Sequence, residues 1–447
     1  MKIKEFDVFI IGSGVAGQTV AEQCVKNELT VAIADKRAYG GTCANRGCDP
    51  KKVILGSTEI IKQAKDLLGK GITKLPQSNW KDVMSFKQEF TAAVPAGTEE
   101  KLRDMGITLY HQSPKFIDSN TLSVEGKTIK ANKIVIASGL VPRPLDIEGG
   151  SMALESDDFL NLEALPESII FIGGGYIGME FAHMAARFGV DVTIIESGDR
   201  PLSMFDPDMV AHLVQASKDL GIEFVFKAEV TAIEALRKNK RVHYSKNGKK
   251  NSKKAALVFN TTGRIPSIQD LNLEKGGVVY NQKGIGVNDF LQNPGNSDVY
   301  ACGDIADNAL PLTPFSSREG TIVAHNLFHG NEKKANFPVT PSVAFTLPNI
   351  ASVGLSEEEA KKKYHTIRVV YKDAADFYNA KRINEHTYAY KIIIKDDVIL
   401  GAHLVGPEAA EMINLFAMAI YNNMTTKALN ELIFVYPSWG GDMQYMI

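Results

Sequence analysis

The chain has 447 residues, 44% of them hydrophobic and 23% charged, and a net charge of −2. This is the balance of a globular protein with a substantial core, and at ~150 residues per domain the length predicts about three domains. No basic field favours nucleic acid or anionic lipid, no apolar run approaches the ~18–20 residues of a membrane span, and 4 cysteines in a chain this long do not make a secreted disulfide framework.

A cytoplasmic protein is expected. In that setting, closely spaced cysteines are more often catalytic or metal-binding than structural. The opening "MKIKEFDVFIIGSGVAG" is not a signal peptide, because its short apolar run starts a strand and meets a glycine turn instead of a cleavage site. From Asp7, "DVFIIGSGVAGQTVAEQC" reads as strand, G-x-G-x-x-G at Gly12, Gly14 and Gly17, then helix. "TVAIAD" is a second strand ending at Asp35. "GGTCANRGCDPKK", Gly40 to Lys52, holds Cys43 and Cys48 in a glycine-rich turn. "KIVIASGLVPRP" from Lys133 is a buried strand ending in a turn at Ser138-Gly139.

The pattern then starts again. "IIFIGGGYIGMEFAHMA" from Ile169 carries Gly173, Gly175 and Gly178, and "DVTIIE" ends at Glu196. "RKNKRVHYSKNGKKNSKK" from Arg237 reads as an exposed hairpin with a solvated lysine face. "ALVFNTTGRIPS" from Ala256 repeats the later strand, with its turn at Gly263 and, as before, a proline three residues on. Beyond Phe337 the composition changes. "YAYKIIIKDDVILGAHLVG" reads as a hairpin around Asp396-Asp397. "EAAEMINLFAMAIYNNM" reads as a helix with Ala409, Met412, Ile413, Phe416, Ala417 and Ile420 on one face. No phosphate loop occurs there, and association is its expected role.

The acid falls 23 positions after the first glycine in both copies. The first glycine permits a tight turn, the second lets backbone approach a pyrophosphate, and the third lets helix pack on strand. The helix N-terminus offers N–H groups to phosphate, and the acid accepts from the adenosine ribose. One such motif is weak evidence; two in matched strand–turn–helix–strand–acid order predict two bound dinucleotides. A flavin and a nicotinamide form the economical pair, since hydride passes between them.

Five residues of α-helix advance about 7.5 Å, whereas a disulfide needs Cα atoms within about 4.4–6.8 Å. If Cys43 and Cys48 bridge, "ANRG" is not regular helix and Gly47 supplies the irregularity. A zinc site and two structural thiols are the alternatives, although zinc wants a second close Cys/His pair. Cys24 and Cys302 read as small buried residues.

These segments, with "DVYACGDIAD" from Asp298 and "PSVAFTLPNIASVGLSEEEA" from Pro341, resemble the flavin-dependent pyridine nucleotide–disulfide oxidoreductases over nearly the whole chain. The resemblance implies an α/β fold: two Rossmann-like dinucleotide-binding domains and a C-terminal α+β interface domain. The FAD domain would comprise 1–148 and 265–335, the NAD(P) domain 149–264 and the interface domain 336–447. It implies FAD, a redox-active Cys43–Cys48 cystine, no resident metal, and a homodimer whose C-terminal segment completes the partner's active site. Cys43 would be the interchange thiol and Cys48 the thiol beside the flavin. Lys52 would lie near the reactive flavin nitrogen, with Glu180 its ion-pair partner. Lys36, Gly41, Thr42, Ser138, Gly139, Asp304 and Thr313 would join the first glycine loop and Asp35 at FAD. Tyr176, Ile177 and Gly263 would join the second loop and Glu196 at the nicotinamide coenzyme, with Tyr176 covering the nicotinamide pocket. Glu196 would favour NADH by repelling a 2′-phosphate, with NADPH open because Arg200 is close in sequence.

The chain departs from the family in three places. Disulfide reductases carry a C-terminal His-Glu acid–base dyad; here "VYPSWGGD" puts Tyr436 and Gly441 at those positions, and no histidine follows His403. A tyrosine, with a pKa near 10, is a poor base at neutral pH. The two arginines that glutathione reductases use are Glu22 and Thr321 here, and Asp49 stands where the family is usually apolar. All three changes disfavour an anionic disulfide. The vicinal C-terminal cysteines of mercuric reductases are also missing from "DMQYMI". The expected activity is electron transfer from NAD(P)H through flavin and dithiol to a small disulfide. The rivals are a metal ion, quinone or oxidant as acceptor, and a flavoprotein redox sensor acting through a protein partner.

Overall fold

The computed structural model describes residues 3–308 and 311–447. The chain divides into two units: Met1–Val53, Met84–Arg143 and Arg264–Asn336 form one, and Ile54–Val83, Pro144–Gly263 and Phe337–Ile447 the other.

The first unit is built on a seven-stranded sheet. Strands Thr108–Tyr110, Val31–Ala34, Lys4–Ile11 and Lys127–Ile136 run parallel in that order, and Val299–Ala301 pairs with the end of the last. Their apolar runs are buried on both faces: Phe9, Ile11, Ile134 and Ile136 join one core, and Val8, Ile10, Ile33 and Val135 another. This two-sided burial is what a parallel sheet requires. Helices Val15–Lys26 and Thr313–His329 pack closely, because Gly320 brings its backbone against Ala16 and Thr19. A β-carbon at Gly320 would lie 2.8 Å from the Ala16 carbonyl oxygen. This contact sets the start of the second helix, Thr313, relative to the first glycine loop.

In the second unit, Glu223–Val225, Asp191–Ile195, Ser168–Ile172 and Leu257–Asn260 form a parallel four-stranded sheet, the repeat of the first. The lysine-rich stretch is the antiparallel hairpin Lys240–Lys246 and Lys249–Ala255, turning at Asn247-Gly248 with positive φ at both. Lysines along the outer strand discourage pairing with another chain. A five-stranded antiparallel sheet follows after Phe337, its central hairpin turning at Asp396-Asp397 with φ of 48° and 65°. Helix Ala409–Tyr421 buries Ala409, Met412, Ile413, Phe416 and Ala419; Ala417 and Ile420 flank that face. Two nucleotide-type sheets, the first extended antiparallel by Thr121–Val124 and Lys115–Phe116, and a C-terminal α+β layer are the α/β architecture expected from sequence. Among the described residues, no helix is long and apolar enough to cross a membrane.

Candidate active site

The two glycine loops have the same geometry. Gly12 and Gly173 take φ of 110° and 101°, and a β-carbon there would sit 2.2 Å from the Ala137 oxygen and 2.6 Å from the Thr261 oxygen. Only glycine fits. Gly14 and Gly175 open the two helices at φ −74°, with no side chain capping the first turn. The first N–H groups therefore point at whatever the loop holds. Gly17 and Gly178 bring each helix onto its loop, since a β-carbon would lie 2.0 and 2.3 Å from the Gly12 and Gly173 oxygens. Ile177 lies half-buried in the first turn of the second helix.

Each acid braces its loop. Asp35 accepts from the Ser13 N–H at 2.8 Å, the Ser13 hydroxyl at 2.7 Å and the Arg37 N–H at 2.9 Å. Glu196 accepts from the Gly174 and Gly198 N–H groups, both at 2.7 Å. Buried Ser13 is a site residue that sequence reasoning missed, since any small residue satisfies the motif at that place. Gly41 presses onto the first loop: a β-carbon would meet the Gly14 Cα at 2.4 Å. This backbone-lined cradle fits the pyrophosphate of FAD, and the second loop fits that of a nicotinamide dinucleotide.

Other expected flavin residues gather in the first unit. Thr42 follows Gly41, and Ser138 donates to the Ser267 carbonyl at 2.9 Å beside Gly139, whose φ is 64°. Lys36 is tied to Asp270 at 2.7 Å. Asp304 has its carboxyl held above the usual range by burial, partly offset by the Arg264 charge. The preceding Gly303 N–H donates at 2.6 Å to Glu319, which also accepts from Asn308 at 3.0 Å. Burial pushes Glu319 up to about 7. Sequence reasoning also missed this buried acid, because one carboxylate in a helix normally marks a solvated face.

The cysteine segment folds as two helices with a break. Gly41–Arg46 ends at Gly47, whose φ and ψ are −142° and −111°, and Cys48–Asp66 begins immediately. An irregularity is present at Gly47, but Ala44, Asn45 and Arg46 stay helical; a non-helical "ANRG" was expected only if the cysteines bridge, and both are free. Cys43 and Cys48 are free thiols, hydrogen-bonded to each other. The Thr313 hydroxyl donates to the Cys43 sulfur at 3.5 Å and lies 3.7 Å from that of Cys48. Asp49 is 4.0 Å from the Cys43 sulfur. The bond from Cys43 lowers Cys48 most; Thr313 and Lys51 lower it further against burial, leaving it at about 6. The same bond, with burial, raises Cys43. The helix N-terminus at Cys48 also favours its thiolate. Thr313, expected at the flavin, has its hydroxyl against both sulfurs. Cys24 and Cys302 are fully buried.

Lys52 lies in the first unit. In the second, Glu180 is 2% exposed and accepts from the Phe345 N–H at 2.8 Å. Tyr176 is half-buried against Phe205, with ring centroids 5.6 Å apart, and burial raises its phenol. Gly263, also in this unit, is exposed with φ of 124°. Tyr436 is 68% exposed and 6.2 Å from the Tyr378 ring, in a run with Ile433 at 100% and Val435 at 77%. Among the described residues, no group of three or more His, Cys, Asp or Glu side chains is arranged to hold a metal ion.

Residues 6–320 match the family model for pyridine nucleotide–disulphide oxidoreductases, and residues 340–447 the model for that family's dimerisation domain. A mercuric reductase of Bacillus cereus is 32% identical over 440 residues, covering 97% of this chain and 69% of that protein. A dihydrolipoyl dehydrogenase of Chlamydia trachomatis is 30% identical, covering 97% of this chain and 94% of that protein. A glutathione reductase of Burkholderia cepacia is 29% identical, covering 98% and 97%. The HOCl-induced flavoprotein disulfide reductase RclA of Escherichia coli, in a Cu(II) complex, superposes with a TM-score of 0.88 at 26% identity and covers 99% of both chains. Family members use FAD and NAD(P)H. With two matched glycine loops, a paired-cysteine helix start and relatives along its whole length, the chain is an oxidoreductase belonging to the pyridine nucleotide–disulphide oxidoreductase family.

Proposed function

We propose that the chain is a cytoplasmic, homodimeric NAD(P)H-dependent reductase that hands electrons to a small acceptor through Cys43 and Cys48. One observation carries this reading: two free thiols, Cys43 and Cys48, share the Thr313 hydroxyl at 3.5 and 3.7 Å, at the break where the Cys48–Asp66 helix begins. FAD, when bound, supplies the two-electron link between nicotinamide and this pair. Cys43, the thiol beside exposed Asp49, meets the acceptor, and Cys48 completes the cystine. With a disulfide acceptor, two electrons and two protons leave the dithiol, giving the cystine and two product thiols. NAD(P)H and one proton restore the dithiol. The exposed run at Ile433–Tyr436 is proposed as part of the dimer contact. Glu196 favours NADH. A tenfold NADPH preference in kcat/KM, about 1.4 kcal/mol, would instead show Arg200 taking the 2′-phosphate.

A second reading, a soft metal ion such as Cu(II) as acceptor, is favoured by Tyr436 and Gly441 in place of the acid–base dyad. Two Cu(II) ions take one electron each, the dithiol becomes cystine, and two protons leave without a thiolate product to protonate. The similarity to a reductase solved with Cu(II) supports it. NADH oxidation by the holoenzyme is measured with lipoamide, 2-hydroxyethyl disulfide and Cu(II) in turn, for wild type and Cys43→Ser. Turnover lost in the variant supports the dithiol route, and the better wild-type acceptor identifies the class. Full turnover by Cys43→Ser overturns the route.

A further inference from the structure

Asp49 is exposed in the first turn of the Cys48–Asp66 helix, one residue past Cys48 and 4.0 Å from the Cys43 sulfur. An acid in a first turn ordinarily stabilises its helix. Here the same charge opposes the thiolates: Asp49 raises both sulfurs, whereas Lys51 acts in the opposite sense on Cys48. The Asp49 carboxylate thus places one negative charge 4.0 Å from the Cys43 sulfur. A carboxylate this close to a reacting atom repels an incoming anion and attracts a cation by about fivefold per unit charge in water, and by more where solvent is excluded.

We propose that Asp49 determines acceptor specificity, selecting cationic over neutral and neutral over anionic acceptors at Cys43. This rests on the reading of Cys43 as the thiol that meets the acceptor. It names a substrate class: small disulfides bearing ammonium groups, or metal cations, in preference to carboxylate-bearing disulfides. Asp49 acts through its charge and takes no part in bond making.

Three disulfides that differ mainly in charge test it in the holoenzyme: cystamine, 2-hydroxyethyl disulfide and dithiodiglycolate. Each takes two electrons and two protons to give two thiols while the Cys43–Cys48 dithiol becomes the cystine. Wild type should favour cystamine over dithiodiglycolate by tenfold or more in kcat/KM, and added salt should narrow the gap. Asp49→Asn should narrow it at least threefold, and Asp49→Glu should restore it. A readout independent of turnover is alkylation of Cys43 in the reduced protein by neutral iodoacetamide and anionic iodoacetate. Their rate ratio should fall at least threefold in Asp49→Asn. An unchanged ratio, or wild-type preference for dithiodiglycolate, overturns the assignment. If no disulfide turns over yet the alkylation ratio shifts, Asp49 keeps its role and disulfide reduction fails instead.

Discussion

A thiol at the start of a helix, accepting a bond from a second thiol and close to a hydroxyl, ionises more readily than a free one. Cys48 meets these conditions, and its pKa falls from 9.0 to about 6. Because the folded value lies below the unfolded one, the thiolate adds stability that is fully present above about pH 9 and is lost as pH falls through about 6. Thiolate absorbance of the reduced protein, followed from pH 9 to pH 5, should show one group titrating near 6. Thr313→Val removes a stabilising hydroxyl and should move that titration upward. An unshifted curve in the variant would separate Thr313 from the thiolate.

At the scale of elements, both nucleotide loops follow from backbone geometry that only glycine satisfies. Gly173→Ala puts a β-carbon 2.6 Å from the Thr261 carbonyl oxygen at a φ of 101°, a strain of about 1–3 kcal/mol. The variant should keep its flavin, because the first loop is untouched, and lose reduction by NADH. Loss of flavin with retained nicotinamide binding would reverse the assignment of the two loops. These loops were legible in sequence because their spacing is dictated by sterics. The break at Gly47 was legible only as a condition on a Cys43–Cys48 bridge, through the conflict between disulfide geometry and helix rise. Other features were not legible. Leu140–Pro142 and Arg264–Pro266 pair antiparallel, but three-residue strands carry no period to read. Thr313 reaches the Cys48 and Cys43 sulfurs from 265 and 270 residues away in sequence, and no local pattern announces such a meeting. Glu319 is buried by helix packing, which a single-helix pattern does not encode.

At the scale of the whole molecule, stability depends on buried charge as well as apolar cores. In the second unit, Lys391 is 3% exposed and meets Asp206 at 3.0 Å, Asp208 at 2.5 Å and Glu357 at 3.1 Å. Burial works against its charge, but the three carboxylates outweigh this and hold it protonated. Lys391→Met would leave buried Asp206 without its cation, which should cost about 3–5 kcal/mol, read as a lower denaturant midpoint. An unchanged midpoint would show that water or Asp206's own backbone donors suffice. The relay through Cys43 and Cys48 is tested most directly by differential alkylation of the oxidised holoenzyme before and after anaerobic NADH, with peptide-level mass spectrometry. The expected result is that Cys43 and Cys48 become alkylatable only after NADH, two thiols gained per chain, while buried Cys24 and Cys302 stay unchanged. Reduction of the flavin with no change at Cys43 and Cys48 would contradict it.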